Sequence, residues 1–260
     1  MFSLFFFLLG ACIGSFLNVV IYRYNTGMSL NGRSQCFSCG RTLTWYDLVP
    51  LASWLVYRGR CRTCKSKISW QYPLVELSTA LLFLAIFRFD GLTLALLFDL
   101  IIFSTLTVMT VYDIRHKIIP DGLVVIFAVT GLLKMLASIF LVSGHFALPA
   151  LVAVPWFDLL AGAIFFIPFW LLWLVSQGRW IGLGDGKLAI GIGTFLGLSL
   201  GLSAIMIGFW AGAIFGLAGL FFARKKLTMK SELPFAPFLI LGVLIVFFTG
   251  INFFLMGSFL

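Results

Sequence analysis

The sequence has very little charge. Only 10% of its 260 residues are Asp, Glu, Lys or Arg, whereas 62% are hydrophobic. A soluble domain carries about 25% charged residues, so this chain lacks the polar surface that would let it face water on all sides. The scarcity of charge excludes an ordinary soluble fold, and we expect the lipid bilayer to be the solvent for most of the chain.

Histidine is almost absent, with two residues and no His-Glu-x-x-His motif. This absence argues against a catalytic zinc of the metalloprotease type. A glycine-rich nucleotide-binding loop is missing too. The net charge is +9, but in a membrane protein basic residues serve orientation and contact with anionic lipid. We therefore expect no nucleic-acid partner.

Apolar runs fill the rest of the sequence, most of them long enough to cross a hydrocarbon core of about 30 Å. They predict an all-α polytopic membrane protein with about eight transmembrane helices, over 1–22, 73–87, 92–112, 123–142, 157–176, 188–200, 202–223 and 235–255. As a single helix, 188–223 would be about 54 Å long, so we expect a turn near Gly201. The first run lacks a basic start and a small-residue cleavage pattern, which predicts a retained span.

The basic residues predict the orientation of these spans. If 23–72 is cytoplasmic, the cytoplasmic segments are 23–72, 113–122, 177–187 and 224–234. All of the 18 basic residues except Arg88 and Lys134 then lie in cytoplasmic segments, as the positive-inside rule requires. Both termini are expected to face the outside.

Two Cys-x-x-Cys pairs lie in the cytoplasmic insertion 23–72, which we call the cysteine module. They are Cys36 with Cys39 and Cys61 with Cys64. Two such turns can close a tetrahedral four-sulfur Zn²⁺ site, which would be structural because it leaves no position open for water. Two disulfides or a redox pair are the alternatives, although a cytoplasmic location disfavours stable disulfides.

Acidic residues are rare enough to single out individually, because an ionisable side chain near a span is a functional candidate by default. Asp113 ends the third span and Asp185 begins the sixth, so the predicted topology puts both at the cytoplasmic edge. Two adjacent carboxylates share a proton, and such a pair can perform acid–base hydrolysis without a metal. The alternative is that Asp113 pairs with Arg115 or Lys117 and that Asp185 caps a helix.

Other residues are candidates for supporting roles. Gly182 and Gly184 remove side-chain bulk beside Asp185, so an extended substrate backbone could come close. Asp121 precedes the fourth span and is a candidate helix N-cap. Glu76 lies just inside the second span, and Lys187 could pair with a carboxylate, contact substrate or anchor the helix at the interface.

Together these motifs resemble the bacterial type IV prepilin peptidases of the GxGD aspartyl protease group. The resemblance covers nearly the whole chain. Its motifs are Gly10-Ala-Cys-Ile-Gly-Ser-Phe-Leu-Asn-Val-Val-Ile-Tyr-Arg23, the cysteine pairs, Leu43-Thr-Trp-Tyr-Asp-Leu-Val-Pro50, Arg58-Gly-Arg-Cys-Arg-Thr-Cys64, Tyr72-Pro-Leu-Val-Glu76, Asp113 with Ile119-Pro-Asp121, Gly182-Leu-Gly-Asp-Gly-Lys187 and Pro234-Phe-Ala-Pro-Phe238. Two positions depart from the family's pattern. Tyr24-Asn25 stands where the family commonly has Leu-Pro, and Ala236 stands where it commonly has Gly.

The resemblance implies that Asp113 and Asp185 are the catalytic pair of a transmembrane protease domain over 73–260, following a first transmembrane helix over 1–22 and the cysteine module. It implies cleavage of prepilin and pseudopilin leaders at the cytoplasmic face of the bacterial inner membrane. Bacterial members often also N-methylate the new amino terminus with S-adenosylmethionine.

Three other classes stay open on the residues alone. A membrane thiol oxidoreductase would use the cysteine pairs, but it would need them on the oxidising side of the membrane. A non-enzymatic scaffold would tolerate replacement of both aspartates. A transporter would use Asp99 and Asp185 as proton sites, and it would need a polar path across the bilayer.

Overall fold

The computed structural model describes residues 1–143, 156–222 and 234–253. Over these ranges the chain is helical, and its only strand-like pairs are two isolated bridges in the cysteine module. The helices are α1 (Phe2–Arg23), α2 (Ala52–Val56), α3 (Gln71–Asp90), α4 (Leu94–His116), α5 (Asp121–Ser143), α6 (Trp156–Ser176), α7 (Leu183–Phe222) and α8 (Ala236–Thr249), with a short 3-10 turn at Trp45–Asp47. The predicted basic loop 224–234 lies largely outside the described residues.

The predicted all-α membrane fold is confirmed. Six helices of the described part are long and apolar enough to span a bilayer, and α8 is a shorter apolar helix of 14 residues. One of the six is α7, whose 40 residues would extend about 60 Å, twice the hydrocarbon thickness. Counting α7 as two spans and adding α8 gives the predicted eight. The second span is longer than predicted, since α3 has 20 residues.

The division of α7 lies at Gly197, four residues before the glycine predicted from sequence. Gly197 has φ +73° and ψ −170°, a conformation that is accessible to glycine but strained for other residues. The break frees the N–H of Leu198, which donates to the Asp158 carboxylate at 2.7 Å. Asp158 belongs to α6 and so acts as a cap supplied by a neighbouring helix. Gly201 instead lies against the Phe165 ring.

The structure forms two compact units, 1–108 and 109–260, which divide within α4. In the first unit α1 packs against α3. The helices approach closely at Gly10 and Gly14, where an added Cβ would come within 2.8 Å of Ala80 and Glu76 backbone atoms. Small residues permit such contacts in membranes. The Asn18 amide donates to the Tyr72 carbonyl at 3.2 Å and ties the end of α1 to the start of α3.

In the second unit, α7 is the central helix and packs against α5, α6 and α8. The chain following α8 returns to the arm of α7 beyond the break. There the Asn252 amide donates to the Ser199 hydroxyl at 3.1 Å, and the Phe253 N–H donates to the Ser203 hydroxyl at 3.2 Å. The broken helix therefore organises this unit, and its first arm begins with the sequence that carries Asp185.

We expect Asp158→Ala to destabilise the second unit by about 1 kcal/mol, because it leaves the Leu198 N–H without its acceptor in a low-dielectric surrounding. Asp158→Asn keeps a side-chain oxygen and should lose less. Thermal unfolding in lipid nanodiscs measures both. Equal stability of Asp158→Ala and wild type would contradict the capping role.

Candidate functional site

Asp113 lies in the last turn of α4 and is almost fully buried, with 5% of its surface exposed. Its carboxylate accepts a hydrogen bond of 3.2 Å from the backbone N–H of Ala236. Ala236 is the first residue of α8 and is completely buried. The carboxylate therefore faces the positive end of a helix, an arrangement that favours negative charge.

Asp185 is the third residue of α7, and its backbone N–H donates to the Gly182 carbonyl at 3.2 Å in the turn that starts the helix. Its carboxyl group is close enough to Asp113 for the charge of Asp113 to act on it. The structure thus brings the two predicted aspartates together from helix ends 72 positions apart in sequence. Two such carboxyl groups can share one proton and act as acid and base on a bound water.

The glycines around Asp185 have different surroundings. A Cβ on Gly184 would lie 3.2 Å from Ile119, in the loop between α4 and α5, and a Cβ on Gly186 would lie 3.0 Å from Phe169. Gly182 is less crowded, since an added Cβ would make only ordinary contacts, the nearest with an Asp185 oxygen at 3.8 Å. Gly184 and Gly186 therefore allow close packing within the protein, and only Gly182 leaves room for another backbone.

Asp121 and Lys187 form an ion pair of 2.6 Å between the start of α5 and the first turn of α7. Of the roles considered for Lys187, pairing with a carboxylate is the one observed. The Asp121 side chain is 72% exposed, so the pair should contribute at most about 1 kcal/mol to stability. It joins the start of α5, which follows the loop after α4, to the first part of α7, which carries Asp185.

Glu76 belongs to the first unit, near the start of α3, and is 7% exposed. Its carboxylate accepts the N–H of Leu51 at 2.8 Å. Leu51 has φ +60°, an unfavourable conformation for a side chain of this kind. Glu76 thus attaches the start of α2, within the cysteine module, to α3.

The four cysteines of the module form one cluster, with all Sγ atoms within 4.8 Å of one another. Each pair lies on a turn of the same design. Cys36 donates its N–H to Arg41 and Cys61 donates to Ser66, both at 2.9 Å. The Sγ atoms of Cys36 and Cys64 are 3.8 Å apart, too far for a disulfide of about 2.05 Å but close to the edge of a tetrahedron with metal–sulfur bonds of about 2.3 Å.

The protonation of these thiols also fits a metal site. Backbone hydrogen bonds from Cys39 and Ser38 lower the pKa of Cys36 to about 6, and the Ser66 hydroxyl lowers the pKa of Cys64. For Cys39 a backbone hydrogen bond from Arg41 acts to lower the pKa, but burial and the neighbouring thiols raise it to about 11. The neighbouring thiols cannot all ionise while their negative charges repel one another. A bound metal cation neutralises these charges and lets all four sulfurs ionise.

Arg41 joins the two cysteine turns. Its guanidinium donates to the Thr63 hydroxyl at 2.6 Å, in the second turn, and pairs with Asp47. Burial acts to raise the pKa of Asp47, but hydrogen bonds from Thr44 and the charge of Arg41 outweigh it, so the pKa lies below its usual value. This ionised contact links the first cysteine turn to the 3-10 turn at Trp45–Asp47.

Sequence reasoning missed several residues at these sites. Ala236 was quoted only as part of a motif, because a backbone donor has no side-chain signature. Neither the contact of Ile119 with Gly184 nor the capping role of Asp158 follows from the sequence pattern. The Pro-Phe-Ala-Pro run before an apolar helix is the signal in the sequence that points to the segment around Ala236.

The fold and these clusters define a polytopic membrane protein with a carboxylate pair at two helix ends and a tetrathiol module inserted after the first span. The chain belongs to the type IV leader peptidase family. The family model with that description matches residues 100–217, and the model for the bacterial peptidase A24 N-terminal domain matches residues 8–89. The resemblance inferred from the motifs is confirmed.

Curated relatives agree with this assignment. A prepilin leader peptidase/N-methyltransferase of Myxococcus xanthus is 38% identical over 198 residues, covering 74% of this chain and 56% of the relative. One of Bacillus subtilis is 32% identical over 246 residues, covering 94% of this chain and 93% of the relative. One of Klebsiella pneumoniae is 32% identical over 201 residues, covering 73% of this chain and 82% of the relative. No solved structure matches the chain.

The tetrathiol cluster predicts one tightly bound metal ion per chain. Elemental analysis of protein purified without chelator should detect it, and Cys36→Ser or Cys61→Ser should each lose most of it, because a tetrahedral site with three sulfurs binds much more weakly. Cys12→Ser is the matched control, since Cys12 lies in α1 outside the cluster. Metal content unaffected by Cys36→Ser and Cys61→Ser would contradict the site.

Proposed function

We propose that this protein is a membrane aspartyl endopeptidase that removes the leader peptides of type IV prepilins or pseudopilins. The observation that carries the proposal is the meeting of Asp113 and Asp185 at the ends of α4 and α7, in a chain whose relatives are named prepilin leader peptidases. Asp113 and Asp185 are the catalytic residues.

The proposed chemistry needs no metal and no covalent intermediate. One carboxylate accepts a proton from a water molecule as it attacks the scissile carbonyl, and the other carboxyl group donates a proton to that carbonyl oxygen. The N–H of Ala236 orients the Asp113 carboxylate. Gly182 carries no side chain and is the least crowded glycine of this turn, so an extended substrate backbone can approach beside Asp185.

Topology explains the position of the cut. The protein is a multi-pass protein of the bacterial inner membrane, with the active site facing the cytoplasm and both termini outside. The support for this orientation is the concentration of basic residues in the predicted cytoplasmic segments. A basic leader stays in the cytoplasm while the hydrophobic helix that follows it lies in the bilayer, so the scissile bond reaches the interface, where water is available.

The cysteine module holds a structural Zn²⁺ through Cys36, Cys39, Cys61 and Cys64. Four sulfur ligands leave no open coordination position, so the ion stabilises the fold of the insertion and takes no part in peptide hydrolysis. Without it the module would be held mainly by the Arg41–Asp47 contact and short turns.

The relatives' names also carry N-methyltransferase, and we extend that second activity to this chain. The new amino terminus left by cleavage is the methyl acceptor, and S-adenosylmethionine, when bound, supplies a methyl group activated by its positive sulfur. The amine must lose a proton before it can accept the methyl group. The protein therefore has to hold the neutral amine next to the methyl group of the donor and keep water away from both.

We expect Asp113→Asn and Asp185→Asn each to lower prepilin cleavage in proteoliposomes by about 100- to 10,000-fold, because each removes one partner of the acid–base pair. Asp158→Asn is the matched control and should cleave like wild type. Cleavage near the wild-type rate by either active-site variant would overturn the proposed pair, provided that metal content and monodispersity are unchanged.

Gly184→Ala should lower kcat by about 10- to 100-fold, because its Cβ would crowd Ile119 and displace the adjacent Asp185 from its working position. Adding Ile119→Ala removes the Cγ1 and Cδ1 atoms at 3.3 Å and keeps the Cβ atom at 3.2 Å, so part of the lost rate, and not all of it, should return in the double variant. If Ile119→Ala on its own slows cleavage and the double variant is slower still, the packing explanation is wrong.

A further inference from the structure

Lys134 is a basic residue within a span of the second unit, and it is half-buried. It follows Asp121, the first residue of α5, by thirteen positions, which is about 20 Å along the helix. Arg88 and Lys134 are the two basic residues outside the predicted cytoplasmic segments. An ammonium group within a span is costly, so a residue of this kind is a functional candidate by default.

The ammonium group of Lys134 lies over two aromatic rings from two different helices. Its Nζ atom is 4.8 Å from the centre of the Phe195 ring and 5.2 Å from the centre of the Phe247 ring. The two rings also stack on each other, with centres 5.7 Å apart and an interplanar angle of 24°. Ring faces attract a cation, more strongly where water is scarce. These three residues, which we call the lysine cluster, therefore join α5 to α7 and to α8.

Each of the three helices that meet in the lysine cluster begins at the candidate active site. The first residue of α5 is Asp121. The first arm of α7 carries Asp185 at its start and Phe195 ten positions later. The first residue of α8 is Ala236, and Phe247 lies eleven positions later. At about 1.5 Å per residue, the cluster is about 15–20 Å from the site along each of these helices.

The lysine cluster is thus a second point of contact between helices that also meet at the site. Near the site, Lys187 of α7 pairs with Asp121 of α5 at 2.6 Å. At the cluster, an added Cβ on Gly131 of α5 would lie 3.1 Å from backbone atoms of Phe195, so the two helices approach closely there. A helix held at one point can tilt about that point, whereas a helix held at two points keeps its direction.

The length of α8 turns a small tilt into a displacement that matters for catalysis. The N–H of Ala236 donates to Asp113 at 3.2 Å, and Phe247 lies about 16 Å from Ala236 along the helix. If α8 tilted by about 4° about Phe247, its first residue would move by about 1 Å. A misplacement of about 1 Å can lower a rate by about 100-fold. The contact of Lys134 with Phe247 opposes such a tilt.

We propose that Lys134 is a positioning residue for peptide hydrolysis. Its contacts with Phe195 and Phe247 set the directions of the first arm of α7 and of α8. These directions place Asp185 and the helix end that binds Asp113. Lys134 acts through the helices and touches none of the reacting atoms. The proposal rests on the peptidase part of the proposed function.

The first test measures prepilin cleavage in proteoliposomes. Lys134→Met removes the charge and keeps an unbranched side chain. It should lower kcat by about 5- to 20-fold and change KM by less than about twofold, because the carboxyl groups shift while the surface that binds substrate is unchanged. Lys134→Arg keeps a cation over the rings and should recover most of the lost kcat. Arg88→Met is the matched control in the first unit and should cleave like wild type.

Hydrogen–deuterium exchange in nanodiscs tests the positioning without any substrate. Lys134→Met should raise exchange about tenfold in residues 185–190 and 236–241, which form the helix starts at the site, and Lys134→Arg should not. A purely local structural role predicts faster exchange only around the cluster, in residues 131–137 and 244–249. Exchange that rises only around the cluster would overturn the proposal.

A double-mutant cycle tests whether the cation acts through the ring on α8. Phe247→Leu removes that ring. If Lys134 acts through it, the double variant Lys134→Met with Phe247→Leu should have a kcat close to that of the slower single variant. Effects that multiply would contradict the coupling. Equal loss of kcat in monodisperse Lys134→Arg and Lys134→Met would contradict the role of the charge.

These measurements separate the positioning role from the proposed function. If the wild type does not cleave prepilin, the peptidase assignment fails, and the exchange measurement decides whether Lys134 controls the helix starts at the site. If the wild type cleaves and Lys134→Met cleaves at the same rate, the peptidase assignment stands and the positioning role is wrong.

Discussion

A bilayer interior offers no hydrogen-bond partners, so every polar group that this chain places among its spans must be satisfied by the protein itself. The break in α7 shows the consequence. Gly197 ends one helical arm, and the N–H that the break frees is bound by Asp158 of α6. Asp113 follows the same rule, because the first N–H of α8 donates to its carboxylate. Helix ends and carboxylates are therefore matched to one another across the second unit.

Because carboxylates bind the exposed N–H groups of helix ends and nearby basic side chains, the nine acidic residues of the chain have distinct structural roles. Asp158 caps a broken helix, Asp121 pairs with Lys187, and Glu76 attaches the cysteine module to the spans. Asp185 differs from these, since the interaction identified for its carboxyl group is with the charge of Asp113. No ion pair with Asp185 is found in the described part of the chain, and an ionisable group kept among spans at such a cost is a functional candidate.

The cysteine module obeys a different constraint, because it is too small to bury a core of its own. Two matching turns bring four sulfurs into one cluster, and Arg41 fastens the turns to each other and to Asp47. The module is joined to membrane helices at both ends and contacts them again through Glu76 and Leu51. It encloses a large cavity of the first unit together with α1 and α3. A metal ion that fixes the module would therefore also fix one wall of that cavity.

The sequence by itself determined the class of fold, the number of spans, the tetrathiol cluster and the two aspartates that meet. These features depend on composition, on runs of about 20 apolar residues and on short-range spacing, all of which are local. Only the tertiary structure decided that α7 breaks at Gly197 rather than Gly201, and that Ile119 packs against Gly184. It also decided that Ala236 and Asp158 take part in hydrogen bonds at helix ends. Those outcomes depend on which residues face each other across helices far apart in sequence. A backbone donor or an open space leaves no mark in the sequence, because neither requires a particular side chain at one position.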